Sequence, residues 1–305
     1  MKYKKVVLYL LLLFTLVLPS CQSNNKETNI LKVMTPAGSP LISIATVLQD
    51  TNYQVVNGPN LLTAEFQKAE YDIIVAPVVL GATLYNKGAS PYQLQSVIGW
   101  GNLYLVGRNQ IKSINELENK TIIAYGEHAT PGIVLQTALS DVNSQVTYYD
   151  SVSDVVGPLK MNKFDYALIS EPVLSILINS SEVELFVFDL QTVQSLPKIV
   201  QFGVFINPNS NKISSILEFS NKIKESVESL NKDTATHIGS ILSKYRELET
   251  YDETVLVNSV SKMNLEYKKT DDLEEEVNEF FKFLVNQNNQ LLGGKVPDKA
   301  FYYKS

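Results

Sequence analysis

The residues best suited to binding chemistry lie in short turns where an apolar run ends and an amphipathic run begins. The first such turn is TPAGSP, residues 35–40, in which Thr35 and Ser39 supply hydroxyls and Gly38 permits close backbone approach. Backbone N–H groups in the first turn of a helix lack intrahelical partners, so they attract anions and carbonyl oxygens. A structural alternative remains open, in which Ser39 caps a helix whose first residue is Pro40. The candidate ligand contacts in this turn are Thr35, Ala37, Gly38 and Ser39.

A second turn of the same kind occupies residues 127–132, with Thr130 as a helix cap and Pro131 in the first helical turn. Two helix starts that face each other across a cleft would suit a carboxylate, sulfonate, phosphate or carbonyl group. His128 is isolated in this loop, which is more typical of a hydrogen-bonding or solvated residue than of a metal ligand. The candidate contacts here are His128, Ala129 and Thr130.

Pro77 and Gly81 follow a buried apolar run and would contribute shape and backbone N–H groups. Trp100, the only tryptophan, either stacks on a flat ligand or holds a core, and Asn102 lies at the same bend. This bend is predicted to lie at the first hinge between the lobes.

Glu171 follows another apolar run and either binds a ligand amine or hydroxyl or caps the next helix. Because Glu127 is also acidic, a zwitterion or a heterocycle with an exocyclic amine fits these residues better than a pure anion. No catalytic residue and no metal ligand is predicted.

Two cycles of strand and helix must position these turns. In the first, strands are predicted at 30–34, 53–56 and 71–77 and helices at 40–48 and 61–69; in the second, strands at 121–126, 145–150 and 165–170 and helices at 131–140 and 152–161. Such alternation predicts parallel sheets with helical crossovers, here two Rossmann-like α/β lobes. Four further helices are predicted at 214–230, 235–245, 252–263 and 271–289.

The β-rich segments 96–108 and 198–207 connect the two cycles and predict a two-segment hinge. Lobe 1 would then comprise residues 30–104 and 206–305, and lobe 2 residues 105–205.

The first 21 residues predict export. Three lysines precede an apolar run from Val6 to Leu18, which is typical of a secretory signal and shorter than the roughly 20 residues of a membrane span. Cys21, the only cysteine, follows Leu-Pro-Ser, and this string resembles a bacterial lipobox, whose cysteine is lipidated. Residues 22–29 are polar and would form a tether.

Composition excludes several classes of function. The chain has 305 residues, 45% of them apolar, enough for two packed domains. A net charge of -6 argues against nucleic-acid binding, which needs clustered Lys and Arg. One cysteine rules out an intrachain disulfide, and two distant histidines make a metal cluster or a bound cofactor unexpected. The phosphate-binding string GxxxxGK[ST] and the metalloprotease string HExxH are absent from the sequence.

Several strings in shared order resemble the type 2 periplasmic-binding-protein fold. They are TPAGSP (35–40), VAPVVLGATLYNKG (75–88), WGNLYLVG (100–107), ATPGIVLQ (129–136), SVSDVVGPLKMNKFDYALISEPVL (151–174) and LLGGKVPDKAFYY (291–303). Within that fold, the chain resembles the solute-binding proteins of nitrate, sulfonate and taurine-like ABC transporters, over essentially all of the chain after residue 31.

The resemblance implies a non-enzymatic receptor whose lobes close on a small solute for an ABC transporter permease. A tethered receptor needs no partner of its own kind, so we expect a monomer. The lipobox-like string implies a palmitate-type lipid anchor at the extracytoplasmic face of the cell membrane. A pyrimidine-synthase-like enzyme of the same fold is disfavoured, because those proteins carry a cysteine-rich motif and this chain has one cysteine. A surface sensor or adhesin that uses the same closing domain remains an alternative.

Overall fold

The protein is described by a computed structural model over residues 30–56, 59–249 and 251–304. The predicted signal segment, Cys21 and the tether 22–29 lie outside the described residues. Strands and helices alternate as β1 (Lys32–Pro36), α1 (Ser39–Leu48), β2 (Asn52–Val56), α2 (Pro59–Lys68), β3 (Ile73–Pro77), α3 (Val78–Asn86), β4 (Gln93–Trp100), β5 (Tyr104–Gly107), β6 (Thr121–Tyr125), α4 (Thr130–Ala138), β7 (Gln145–Tyr149), α5 (Val156–Lys160), β8 (Tyr166–Ile169), α6 (Val173–Asn179), β9 (Phe186–Asp189) and β10 (Val200–Ile206). The chain continues with α7 (Ile213–Lys232), α8 (Thr234–Leu242), α9 (Glu253–Val260), β11 (Leu265–Lys269) and α10 (Thr270–Gln287).

These strands form two separate sheets. The first has the order β11-β4-β10-β3-β1-β2, and the second has the order β7-β6-β8-β5-β9. β1 runs parallel to β2 and β3, and β6 runs parallel to β7 and β8, as the strand–helix alternation predicted. β10 and β5 are antiparallel to their neighbours. The two predicted α/β lobes are therefore confirmed, each with a mixed sheet.

The chain crosses between the sheets twice, near the predicted positions. The first crossing lies between β4 and β5, where Gly101 and Asn102 have φ of 55° and 56°. Glycine and asparagine adopt this left-handed region at the lowest cost, so the bend is encoded locally. The return crossing occupies residues 190–199, between β9 and β10.

Two lobe boundaries differ from the prediction. β10 pairs with β3 and β4 of the first sheet, although residues 200–205 were predicted in lobe 2. Tyr104 begins β5 of the second sheet, although it was predicted in lobe 1. β10 is apolar along most of its length and nearly all buried, so it is stable only as an inner strand, and the first sheet supplies both neighbours.

Apolar side chains pack on both faces of each sheet. One cluster covers one face of the first sheet beneath α1, α7, α8 and α9, and another covers one face of the second sheet beneath α5 and α6. The third cluster takes the remaining face of both sheets and includes the hinge residues Trp100, Leu103 and Leu190. The hinge is thus packed with apolar side chains, which restricts how the lobes can move. Within the described residues, no helix is both long and apolar enough to cross a membrane.

His237 in α8 is expected to make stability depend on pH. The residue is 4% exposed, its Nε2 has no hydrogen-bond partner, and its desolvation lowers its pKa. In the unfolded chain the imidazole has a pKa of about 6.5, so below that pH the unfolded state binds a proton that the folded state does not. Burial of the neutral His237 imidazole therefore leaves the free energy of unfolding undiminished above pH 6.5. As the pH falls from 6.5 toward the lower pKa of the folded state, the free energy of unfolding decreases.

We therefore expect His237→Phe to flatten the dependence of the free energy of unfolding on pH between pH 7 and 5, measured by urea denaturation. The limiting slope that His237 can contribute is about 1.4 kcal/mol per pH unit. The matched control for the removal of a histidine is His128→Phe, at the other histidine, whose side chain is 91% exposed. Equal slopes for the His237 variant and the parent protein would contradict this account.

Candidate functional site

Two adjoining cavities lie between the lobes, and both are bordered by Pro77. We call the first the polar chamber; it has a volume of about 360 Å³, and its walls include Ala37, Gly38, Ser39, Asn102, Tyr125, Ser153, Ser170, Glu171, Gln201, Phe202 and Tyr251. We call the second the tyrosine chamber; it has a volume of about 570 Å³, and its walls include Val79, Leu80, Thr83, Glu127, His128, Ala129, Thr130, Tyr148, Tyr149 and Asp150. The cleft thus brings together the turns near Gly38 and Thr130.

Helix α1 begins at the polar chamber. Its N-cap is Gly38, with φ 83° and ψ -144°, a left-handed conformation that glycine adopts without strain. Ser39 is therefore the first helical residue. The alternative prediction, in which Ser39 caps a helix that begins at Pro40, is wrong. Its Oγ instead donates to the backbone oxygen of Glu171 in lobe 2, at 3.0 Å. The α1 start is tied to the opposite lobe.

Helices α3 and α4 begin at the tyrosine chamber. Like α1, these two helices have no side-chain cap and no acidic residue in the first turn. All three helix starts therefore keep the partial positive charge of their free N–H groups, worth roughly half an elementary charge each. Such a cleft stabilises a ligand oxygen that bears negative charge.

Thr130 is the first residue of α4, and its side chain is not the predicted cap, because Ala129 is the N-cap. Thr130 is 3% exposed, and its Oγ1 is buried without a hydrogen-bond partner. A buried hydroxyl that lacks a partner costs about 1–3 kcal/mol, so few are left in native structures without a reason. Thr130 is a wall residue of the tyrosine chamber, which places this unpaired hydroxyl beside that cavity.

Gly132 is required by the close approach of the turn before α4. Its N–H donates to the backbone oxygen of Gly126 at 3.0 Å, and a Cβ at Gly132 would lie 2.4 Å from that same oxygen. A side chain at this position would push the turn 126–129 away from the helix. The position of the α4 start therefore depends on this glycine.

Glu171 is held by its own lobe and by the hinge. Its two carboxylate oxygens accept from the hydroxyl and the N–H of Ser175, at 2.8 and 3.0 Å, and Lys262 Nζ lies 3.9 Å away. Burial raises the pKa of Glu171, while the Ser175 hydrogen bonds and the Lys262 charge oppose that rise. The carboxylate therefore bonds within the first turn of α6, although the N-cap of that helix is Pro172 and not the predicted Glu171.

Asn102 joins the hinge to both lobes. Its Oδ1 accepts from the backbone N–H of Glu171 at 2.7 Å, and its Nδ2 lies 3.4 Å from Ser39 Oγ. The residue is 7% exposed. Asn102 thus fixes the relative position of the α1 start and the Glu171 strand end at the floor of the polar chamber.

Three predicted contacts lie outside both chambers. Trp100 is 3% exposed, and its Nε1 donates to the backbone oxygen of Glu266 at 2.8 Å. The Lys198 ammonium lies over its ring, 3.9 Å from the ring centroid. Trp100 borders a different cavity behind the hinge, of about 420 Å³. Gly81 packs against Phe205, whose ring would lie 2.2 Å from an added Cβ, and Thr35 is fully buried. We leave these three residues out of the site.

The remaining predicted contacts border the cleft, and so do residues that sequence reasoning did not select. The additional residues include Tyr125, Tyr148, Tyr149, Asp150, Ser153, Ser170, Gln201, Phe202 and Tyr251. Tyr148 and Tyr149 end the predicted strand 145–150 at the edge where ligands bind in open α/β sheets. Their position at the end of this strand is the feature of the sequence that could have identified them as residues of the site.

Tyr125 is a neutral donor in the polar chamber. Burial raises its pKa to about 12, and a hydrogen bond with the Ser170 side chain opposes this rise. The phenol therefore stays protonated over the whole physiological pH range. Among the described residues, no group of three or more His, Cys, Asp or Glu side chains is arranged to hold a metal ion.

Comparison with solved structures identifies the architecture. An ABC transporter protein from Parabacteroides distasonis superposes with a TM-score of 0.75 and 23% identity, over 90% of this chain and 99% of that chain. The aliphatic sulphonate-binding protein SsuA from Escherichia coli gives 0.68 and 11%, over 90% and 92%. The chain has the periplasmic-binding-protein fold. The predicted two-lobe architecture of type 2 is therefore confirmed.

A third protein with the periplasmic-binding-protein fold is the ligand-binding component of an ABC-type import system from Staphylococcus aureus, with zinc bound. It gives a TM-score of 0.67 and 12% identity, over 90% of this chain and 96% of that chain. The Escherichia coli and Staphylococcus aureus proteins are binding proteins. No protein-family model and no curated protein sequence matches this chain.

Proposed function

We propose that the protein is a solute receptor of an ABC importer, which captures a small solute between its two lobes and presents it to the transporter permease. The observation that carries the proposal is the cleft itself. Three uncapped helix starts from both lobes open onto it, and it contains a buried hydroxyl that has no partner in the protein. The fold shared with transport receptors supports this interpretation.

The cleft can supply the affinity that a receptor needs. A dissociation constant of 1 μM corresponds to about -8 kcal/mol, and several hydrogen bonds from free N–H groups with one buried apolar surface reach that value. Capture needs no bond-making step.

A thermal-shift and calorimetric screen tests the receptor function. We expect one chemical class among amino acids, amines, sulfonates, nitrate, pyrimidines and vitamins to raise the melting temperature, because a ligand that binds only the folded state stabilises it. Binding of none of them, together with unchanged uptake of every class in cells that lack the protein, would contradict the proposal.

Lipid anchoring is the second part of the proposal and rests on the sequence alone. Cys21 follows the apolar segment of the signal and would carry the lipid, which would hold the receptor at the extracytoplasmic face of the membrane. We expect Cys21→Ser to release the protein from the membrane fraction and to abolish incorporation of labelled palmitate. Membrane retention of this variant without incorporated lipid would indicate an uncleaved signal segment.

A further inference from the structure

The tyrosine chamber has acidic residues in its wall, and its histidine, His128, lies 3.9 Å from Glu127. Among the described residues that form the walls of the two chambers, none is lysine or arginine. Carboxylates are present at Glu127 and Asp150 in the tyrosine chamber. The Glu171 carboxylate at the polar chamber already accepts from Ser175 and lies 3.9 Å from Lys262. A ligand with only negative charge would be stabilised by the three helix starts. It would also be repelled by the carboxylates of the tyrosine chamber, and no arginine or lysine of the chamber walls would pair with it.

The carboxylates of the tyrosine chamber accompany aromatic rings. Tyr148 and Tyr149 border the same cavity as Glu127 and Asp150. The Tyr148 pKa is raised first by burial and also by the charge of Glu127, so that carboxylate acts on the ring of Tyr148. Tyr149 remains 39% exposed. Aromatic faces combined with carboxylates attract ammonium groups through cation–π and charge–charge interactions.

Thr130 gives an independent sign that the chamber holds a ligand. Its hydroxyl is buried, lacks a partner and lies at the start of α4, which borders the same cavity. A ligand oxygen there would accept from Thr130 Oγ1 and from the Thr130 N–H, because Pro131 has no N–H and the Gly132 N–H already donates to Gly126. One chamber thus offers donors for a negative or neutral oxygen together with acceptors and rings for a positive nitrogen.

We propose that the solute carries a positively charged nitrogen, held in the tyrosine chamber against Tyr148, Tyr149, Glu127 and Asp150, so that it is an organic cation or a zwitterion. The proposal rests on the receptor function and specifies its substrate class. Simple anions such as nitrate, and sulfonates without an amine, are excluded as the preferred solute.

Affinity-selection mass spectrometry tests the class directly, because it lets the protein select its solute from a mixture. The purified full chain is incubated with a metabolite mixture that contains equal numbers of cations, zwitterions, neutral molecules and anions, and the retained molecules are identified. We expect the tightest-bound molecule to carry a positive nitrogen, and its analogue without that nitrogen to bind at least tenfold more weakly in calorimetry. A preferred solute without such a nitrogen overturns the proposal and leaves the receptor function standing. Retention of no molecule contradicts both.

Paired variants locate the nitrogen. The double variant Glu127→Gln/Asp150→Asn should weaken the selected solute at least tenfold, with a smaller loss at high salt because both carboxylates are partly solvated. The matched control is Glu182→Gln/Glu184→Gln, which removes two exposed carboxylates of the same lobe that lie outside both chambers. Unchanged affinity in the first double variant, or an equal loss in both, overturns the assignment.

Discussion

Replacing Trp100 with alanine is expected to lower the free energy of unfolding by about 3–5 kcal/mol, the usual cost of truncating a buried aromatic side chain. The ring is 3% exposed, its Nε1 donates to Glu266, and the Lys198 ammonium lies over its face while also pairing with Glu276 at 3.0 Å. Denaturation followed by circular dichroism measures the loss, since the variant has no tryptophan fluorescence.

Trp100→Phe separates packing from ligand binding. The phenyl ring keeps much of the packing and loses the Nε1 hydrogen bond, so we expect a smaller loss of stability, about 1 kcal/mol for the bond itself. Solute affinity should stay within twofold, because Trp100 borders neither chamber. A tenfold loss of affinity with unchanged stability would return Trp100 to the site.

Thr130→Val is expected to change stability and affinity in opposite directions. Removing a buried hydroxyl that has no partner should keep or raise the melting temperature of the ligand-free protein, since the desolvation cost of that group disappears. Solute affinity should fall about tenfold, equivalent to about 1.4 kcal/mol, because the ligand loses a hydrogen bond to a buried hydroxyl. Thermal denaturation and calorimetry measure the two effects.

Thr137→Val is the matched control in the same helix. Its hydroxyl donates to the backbone oxygen of Ile133 at 2.9 Å and lies outside both chambers, so the variant should lose a little stability and no affinity. If Thr130→Val instead behaves like this control, with lower stability and unchanged affinity, the Thr130 hydroxyl is structural.

The alternation of strands and helices was predictable because the parallel strands are short apolar runs that the local sequence marks. β9 and β11 were not predicted. β11 has the sequence LEYKK, which is mostly polar, and its partner β4 lies far earlier in the chain. Such a strand is stabilised by a long-range neighbour and not by its own pattern.

The placement of Trp100 could not be derived from the sequence, because the pairing of β4 with β10 contains register shifts that interrupt the two-residue alternation of side chains. The helix starts near Gly38 and Thr130 were predictable from glycine, threonine and proline, whereas the capping roles were not. Ser39 bonds to Glu171, 132 residues away, and this contact exists only after the lobes assemble. Sequence spacing thus located the turns but not the groups that face the cleft.

We expect the two lobes to close on a bound solute. The distance across the mouth of the cleft is the most direct measure of this closure. Ser140 in lobe 2 and Asn289 in lobe 1 are exposed and border one cavity of about 620 Å³ between the lobes. Spin labels at these two positions, in a chain with Cys21→Ser, would report the distance by double electron–electron resonance. We expect the solute to shorten this distance and narrow its distribution, while a label pair within lobe 1 stays unchanged. A distance that saturating solute leaves unaltered would contradict a receptor that works by closure.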